Sequence, residues 1–205
     1  MPPFGVRKSW LKFCLQVTIS KNNADTGLRV IFLLLGQQSD SRALAVLRTA
    51  FVTISLRYKK RLHKELQLLT KEPPKGVKVD SDSVHKNITE WIVDLEGAEE
   101  SLYKDEKFQL MFKFSQRYPF DSPQVMFIGN NIPLHPHVYS NGHICLSILT
   151  DDWSPALSVT SVCLSIVSML SSCTEKKRPP DNAIYVRTCS KNPKKTRWYY
   201  HDDDV

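Results

Sequence analysis

The alternation at residues 107–114 constrains the fold more than any other feature of this chain. Phe108, Leu110, Phe112 and Phe114 are separated by Lys107, Gln109, Met111 and Lys113. Successive strand residues point to opposite faces, so a period of two predicts a half-buried strand. Further strand signals flank it. Glu90 to Glu96 is rich in Trp, Ile and Val, Gln124 to Ile128 forms another short strand segment, and Val77 to Val79 a weaker one. Glu96-Gly97 and Tyr118-Pro119-Phe120 mark loops between them. The expected sheet is a four-stranded antiparallel meander.

Helical periods lie on both sides of these strands. Tyr58, Leu62, Leu66 and Leu69 recur at helical spacing and predict an inward stripe, which Pro73-Pro74 ends. Lys59, Lys60, Arg61 and Lys64 lie off that stripe and are expected on a solvated face. Val159, Val162, Cys163, Ile166, Val167 and Leu170 predict a second helix whose stripe is core. Beyond it, Pro179, Pro180 and Pro193 interrupt any helix, leaving room for at most a short one before Asn192-Pro193. The class is α+β, with a shortened C-terminal region expected to be partly disordered or alternatively packed.

At 205 residues the chain suits one domain plus an appendage. Its net charge of +7 raises the question of nucleic acid, but the excess is local. Residues 1–57 hold 8 Lys+Arg against 2 Asp+Glu, and residues 58–205 hold 20 against 19. The domain at 58–205 is therefore close to neutral, its atypical basic tail at 175–205 included. Residues 1–57 read as an N-terminal extension, expected to be poorly ordered; a targeting segment or a variant start remain open. The longest apolar run, Val30 to Leu35, is far short of the roughly 20 residues that span a bilayer. Neither a membrane nor a nucleic-acid partner is expected, nor a secretory signal, since Asp25 and several Lys precede that run and no clear cleavage site follows. The five cysteines form no CxxC pair and no even framework, which reads as a reduced intracellular protein with mostly buried thiols.

One of those cysteines stands apart. Cys145 follows His137 by eight residues and precedes Trp153 by eight, just after the turn signal Ser140-Asn141-Gly142. The apolar piece Ile144 to Leu149 reads as strand-like. A cysteine beside a turn, among His and polar residues, is expected to be accessible and placed for chemistry at sulfur. Thiolate both attacks and leaves well, which suits a carrier of acyl groups.

The segment His135-Pro136-His137, Cys145, Trp153-Ser154-Pro155-Ala156 resembles the active-site region of ubiquitin-conjugating enzymes. Their pattern is His-Pro-Asn, seven residues, the thioester cysteine, seven residues, then Trp-Ser-Pro-Ala. His137 stands where the family has Asn, and with the short basic tail this is similar to the W-type branch, which is directed at N-terminal amines. The resemblance implies that Cys145 accepts ubiquitin as a thioester from the activating enzyme. It implies that Phe120, Pro155 and Ala156 contact a RING-type or U-box ligase, and that Lys59, Lys60, Arg61 and Lys64 help dock the activating enzyme. Taken alone, Phe120 at a Tyr-Pro-Phe turn reads as core packing. The implied protein is nuclear and cytoplasmic and carries no cofactor, ATP being used by the activating enzyme.

His137 takes one of two roles: a hydrogen bond to the loop or to the oxyanion of the tetrahedral intermediate, or a purely loop-ordering side chain. His135 reads as structural. Asp181 lies roughly where the family carries an acidic gate, though a solvated turn is its simpler reading. Lysine-directed relatives often carry an acid two places after the cysteine, where this chain has Ser147. With both the Asn and that acid replaced, help with deprotonating a lysine is depleted. An α-amine titrates at about 7.7–8.0 and a lysine at about 10.4, so the α-amine is the easier nucleophile at neutral pH. A shortened C-terminal region is expected to leave the site open to substrates with flexible N-termini. Three other readings stand beside this one: a metal site from His135, His137, His143 and Cys145, whose spacing matches no common zinc pattern; a non-catalytic ubiquitin-binding relative; and conjugation of another ubiquitin-like modifier.

Overall fold

A computed structural model of the protein describes residues 57–196 and residue 198. The reading of residues 1–57 as an extension lies outside the described residues, Arg57 excepted. A helix, α1, spans 57–71. The strands β1 (Val77–Val79), β2 (Glu90–Glu96), β3 (Lys107–Lys113) and β4 (Gln124–Ile128) follow, with the short helix α2 (Ser81–Lys86) between β1 and β2. After the cysteine come α3 (Val159–Ser171), α4 (Asn182–Thr188) and a 3-10 turn at Pro193–Lys195.

The sheet is the expected meander, in the order β1-β2-β3-β4 with every pair antiparallel. Register follows from the period of two. Trp91 faces Phe112, Val93 faces Leu110 and Leu95 faces Phe108. All six are at most 1% exposed, so a slip of one residue would turn the apolar set to solvent. The stripe of α3 joins the same core through Val159, Val162, Cys163, Ile166 and Leu170. Burial pushes the Cys163 thiol up to about 12, so it packs as a small apolar group. In α1, Tyr58, Leu62 and Leu69 are buried and Leu66 is half-buried against the core.

One helix has no counterpart in the sequence pattern, and two local expectations change. The short α2 carries a single buried residue, Val84, and is started by Asp80, whose carboxylate accepts from the Asp82 amide. The piece Ile144 to Leu149 is not a strand: Ile144 makes one bridge to Val138, and Ser147–Leu149 closes into a 3-10 turn. Arg61 is not solvated with its lysine neighbours. It pairs with Glu65 and donates to the Leu157 carbonyl at 2.9 Å.

Glu65 was not singled out by its sequence context, yet it joins three parts of the fold. Its buried carboxylate accepts from the Tyr118 hydroxyl at 2.6 Å and the Val159 amide at 2.7 Å, besides pairing with Arg61. The Val159 amide is the first of α3, where an anion also meets the positive end of the helix dipole. Burial, then the Glu65 charge, raise the Tyr118 hydroxyl's pKa. Breaking such a buried pair from one side typically costs roughly 3–5 kcal/mol.

Candidate active site

The turn before Cys145 is built on Gly142, whose φ is 87° and whose absent Cβ would stand 2.0 Å from the Phe127 carbonyl oxygen. Only glycine meets both conditions. Its carbonyl accepts from the Phe127 amide, so the turn is pinned to β4. From there the chain runs back beside the His135-Pro136-His137 loop. The Cys145 amide donates to the His137 carbonyl at 2.8 Å, which brings the two sequence motifs into direct contact.

His135 is fully buried and structural. Its Nε2 donates to the Met169 carbonyl at 3.1 Å, and its Nδ1 accepts from the His137 amide at 2.9 Å. Burial lowers its pKa to about 4, against the Met169 hydrogen bond and with the neighbouring His137. Its folded pKa lies below the ordinary 6.5, so the unfolded chain binds the extra proton between those values. The stabilisation is complete above pH 6.5 and is lost as pH falls toward 4, by about 3 kcal/mol in all. Urea unfolding at pH 7.5 and pH 4.5 checks this, with His135→Gln expected to show a flatter pH dependence. His143 shifts in the same direction, by burial against a backbone hydrogen bond with Lys191.

Cys145 itself is 4% exposed, which corrects the expectation of an accessible thiol. No local sequence signal marks the tyrosines that lie beside it. The described residues of the tail do not leave this region open. Tyr139 stacks on Tyr185 of α4 with ring centres 3.7 Å apart, and Trp198 lies 5.5 Å from Tyr185. Burial raises the pKa of both tyrosines, helped at Tyr139 by the Asp181 carboxylate and at Tyr185 by Cys189, with Cys145 near enough to add to both. The Tyr185 hydroxyl and His143 Nδ1 share a hydrogen bond at 2.9 Å. The aromatic stack borders a cavity of about 320 Å³ that also meets Asp181, Cys189 and Lys195. A larger groove, about 760 Å³, crosses the sheet's other face at Lys78, Asp94 and Gln109, away from the cysteine.

Asp181 is not simply a solvated turn. Its carboxylate accepts from the Tyr139 hydroxyl at 3.1 and 3.3 Å. Ser147 opens the 3-10 turn, and its carbonyl accepts from the Asp152 amide. Among the described residues no group of three or more His, Cys, Asp or Glu is arranged to hold a metal ion.

Phe120 is 77% exposed, which overturns core packing for it. Pro155 and Ala156 are exposed as well. Trp153 ties the two loops together: its indole donates to the Pro119 carbonyl at 2.8 Å and its ring lies 6.0 Å from Tyr118. The Arg61 bond to Leu157 attaches α1 to the same loop, with Lys59, Lys60 and Lys64 exposed beside it.

Comparison with known proteins agrees with this geometry. The family model described as ubiquitin-conjugating enzyme matches residues 61–200. The chain is 71% identical over 144 residues to the probable ubiquitin-conjugating enzyme E2 W-A of Danio rerio, covering 70% of this chain and 95% of that protein. It is 62% identical over 146 residues to the ubiquitin-conjugating enzyme E2 W of Caenorhabditis elegans, covering 71% of this chain and 96% of that one. Among solved structures, the ubiquitin-conjugating enzyme E2 UbcA1 of Agrocybe aegerita superposes with a TM-score of 0.61 at 46% identity, covering 66% of this chain and 96% of that chain.

Proposed function

The chain belongs to the ubiquitin-conjugating enzyme family, and we propose that it carries ubiquitin on Cys145 and passes it to the α-amino group of a substrate. Enzymes of this family are transferases that form thioester intermediates and work with ubiquitin, an activating enzyme and ligases. In the first step the Cys145 thiolate attacks the ubiquitin thioester of the activating enzyme, and that enzyme's thiolate leaves. In the second, an amine nitrogen bonds to the same carbonyl carbon, the carbon–sulfur bond breaks, and Cys145 leaves as thiolate while the amine gives up a proton. His137 orders the loop over this carbonyl or donates to its oxyanion.

The observation that carries the choice of amine is the state of Asp181. Its carboxylate is engaged by the Tyr139 hydroxyl, in a site with His137 and Ser147 where relatives directed at lysine hold Asn and an acid. Little is left to take a proton from lysine, whereas a good fraction of α-amines is already neutral near pH 7. The charged enzyme is expected to discharge onto a peptide with a free, flexible N-terminus at least about tenfold faster than onto its N-acetylated form. Mass spectrometry of the product identifies the acceptor. Equal transfer to internal lysines of the N-acetylated peptide contradicts the choice of amine while leaving Cys145 as carrier.

The exposed Phe120, Pro155 and Ala156 form a small apolar patch suited to a RING-type ligase domain.

A further inference from the structure

The residues between α3 and α4 reach back onto the loop that holds His137. Arg178 Nη1 donates to the Pro133 carbonyl at 2.6 Å and the Val138 carbonyl at 3.1 Å, and Nη2 donates to the Ile132 carbonyl at 3.0 Å. A little further on, Asp181 accepts from Tyr139 and the Asn182 side-chain oxygen accepts from the Ser140 amide at 2.8 Å. The span 132–140 is thus gripped at five of its residues by a stretch of five. Among the described residues no carboxylate lies within ion-pair distance of Arg178. Its charge is spent on backbone carbonyls, which must find donors when shielded from water.

We propose that Arg178 is a positioning residue for acyl transfer, holding the loop of His137 in place against Cys145. The proposal rests on Cys145 being the carrier. The link to the thiol is short: Arg178 fixes Ile132, Pro133 and Val138, His137 sits within that span, and the His137 carbonyl takes the Cys145 amide proton. A planar guanidinium can serve three carbonyls in fixed directions. A lysine ammonium, a flexible point donor, cannot reproduce that fork. In a family where an Asn after His-Pro orders this loop, a chain with His137 instead holds it from outside, through its tail.

The test is single-turnover discharge of purified, charged full-length enzyme onto a peptide with a free N-terminus. Arg178→Lys and Arg178→Ala are expected to lower the maximal discharge rate by about 10- to 100-fold, as small misplacements near reacting groups do. The peptide concentration at half-maximal rate is expected to change by less than about threefold, since peptide binding is left in place. Added guanidinium at non-denaturing concentration is expected to recover part of the rate of Arg178→Ala and none of that of Arg178→Lys. Amide exchange at His137 and Cys145 is expected to quicken in Arg178→Lys while that of Leu110 in β3 stays slow. A discharge rate equal to wild type in Arg178→Lys overturns the proposal. So does exchange that quickens equally in β3, or loss of the fold in both variants, because each assigns Arg178 to stability alone. Wild-type enzyme that takes no ubiquitin onto Cys145 sinks the carrier reading instead.

Discussion

Cys145→Ala is expected to take no ubiquitin from the activating enzyme, and Cys145→Ser is expected to take it slowly as an ester that survives reducing agent. The loss in the alanine variant is complete because no other described thiol is held against the His137 loop as Cys145 is through its amide. Cys163 is buried in α3 with its pKa pushed up to about 12, and Cys173 is buried at the far end of that helix. Cys189 is half-buried at the end of α4, near Asn141, whose side chain donates to it at 3.2 Å. Serine keeps the geometry and exchanges a good leaving group for a poor one, so its ester forms and then stalls. Neither substitution disturbs the hydrogen bond from the residue 145 amide to His137, which is backbone to backbone. Denaturing gels run with and without reductant separate the outcomes.

Phe120→Ala is expected to weaken ligase-stimulated transfer by about 2 kcal/mol, roughly 30-fold, with charging reduced far less. At 77% exposed, the ring contributes little to the free protein and much to a partner that desolvates it. The loop under it is held by other groups: Tyr118 by Glu65, and the Pro119 carbonyl by Trp153. The variant should therefore unfold in urea close to wild type. Equal losses in charging and in ligase-stimulated transfer would make Phe120 a folding residue.

The fold was legible wherever a period ran long enough to show. Seven residues of β3 alternate strictly in burial, and the stripe of α3 repeats through more than three turns, so the sheet, its order and the central helix follow from pattern. Shorter runs failed. Six residues with one buried side chain leave no period in α2. The apolar run after Cys145 fits a strand and a tight turn equally well by periodicity, and the structure chooses the turn.

The site was legible as a line of residues but not as an enclosure. Motif spacing found Cys145, His137 and the Phe120 and Pro155-Ala156 loops. The contacts that pack the tail beside the site join residues 46 positions apart, Tyr139 with Tyr185 and Ile132 with Arg178. No local signal marks such pairs, and prolines in the tail suggested openness where the chain packs. Glu65 was hidden for a related reason. A Glu four residues after an Arg on a helix is normally a solvated pair, and only the placement of Tyr118 and Val159 makes it a buried one.

Cys145 is nearly enclosed while Cys189 is half-buried, both near Tyr185, so location of the acyl group tests the account most directly. Wild-type enzyme is charged with ubiquitin, left unreduced, digested and mapped by mass spectrometry. The expected result is the ubiquitin C-terminal remnant in thioester linkage to Cys145, released by reductant. A remnant on Cys189 or another thiol, with Cys145 unmodified, would contradict the account.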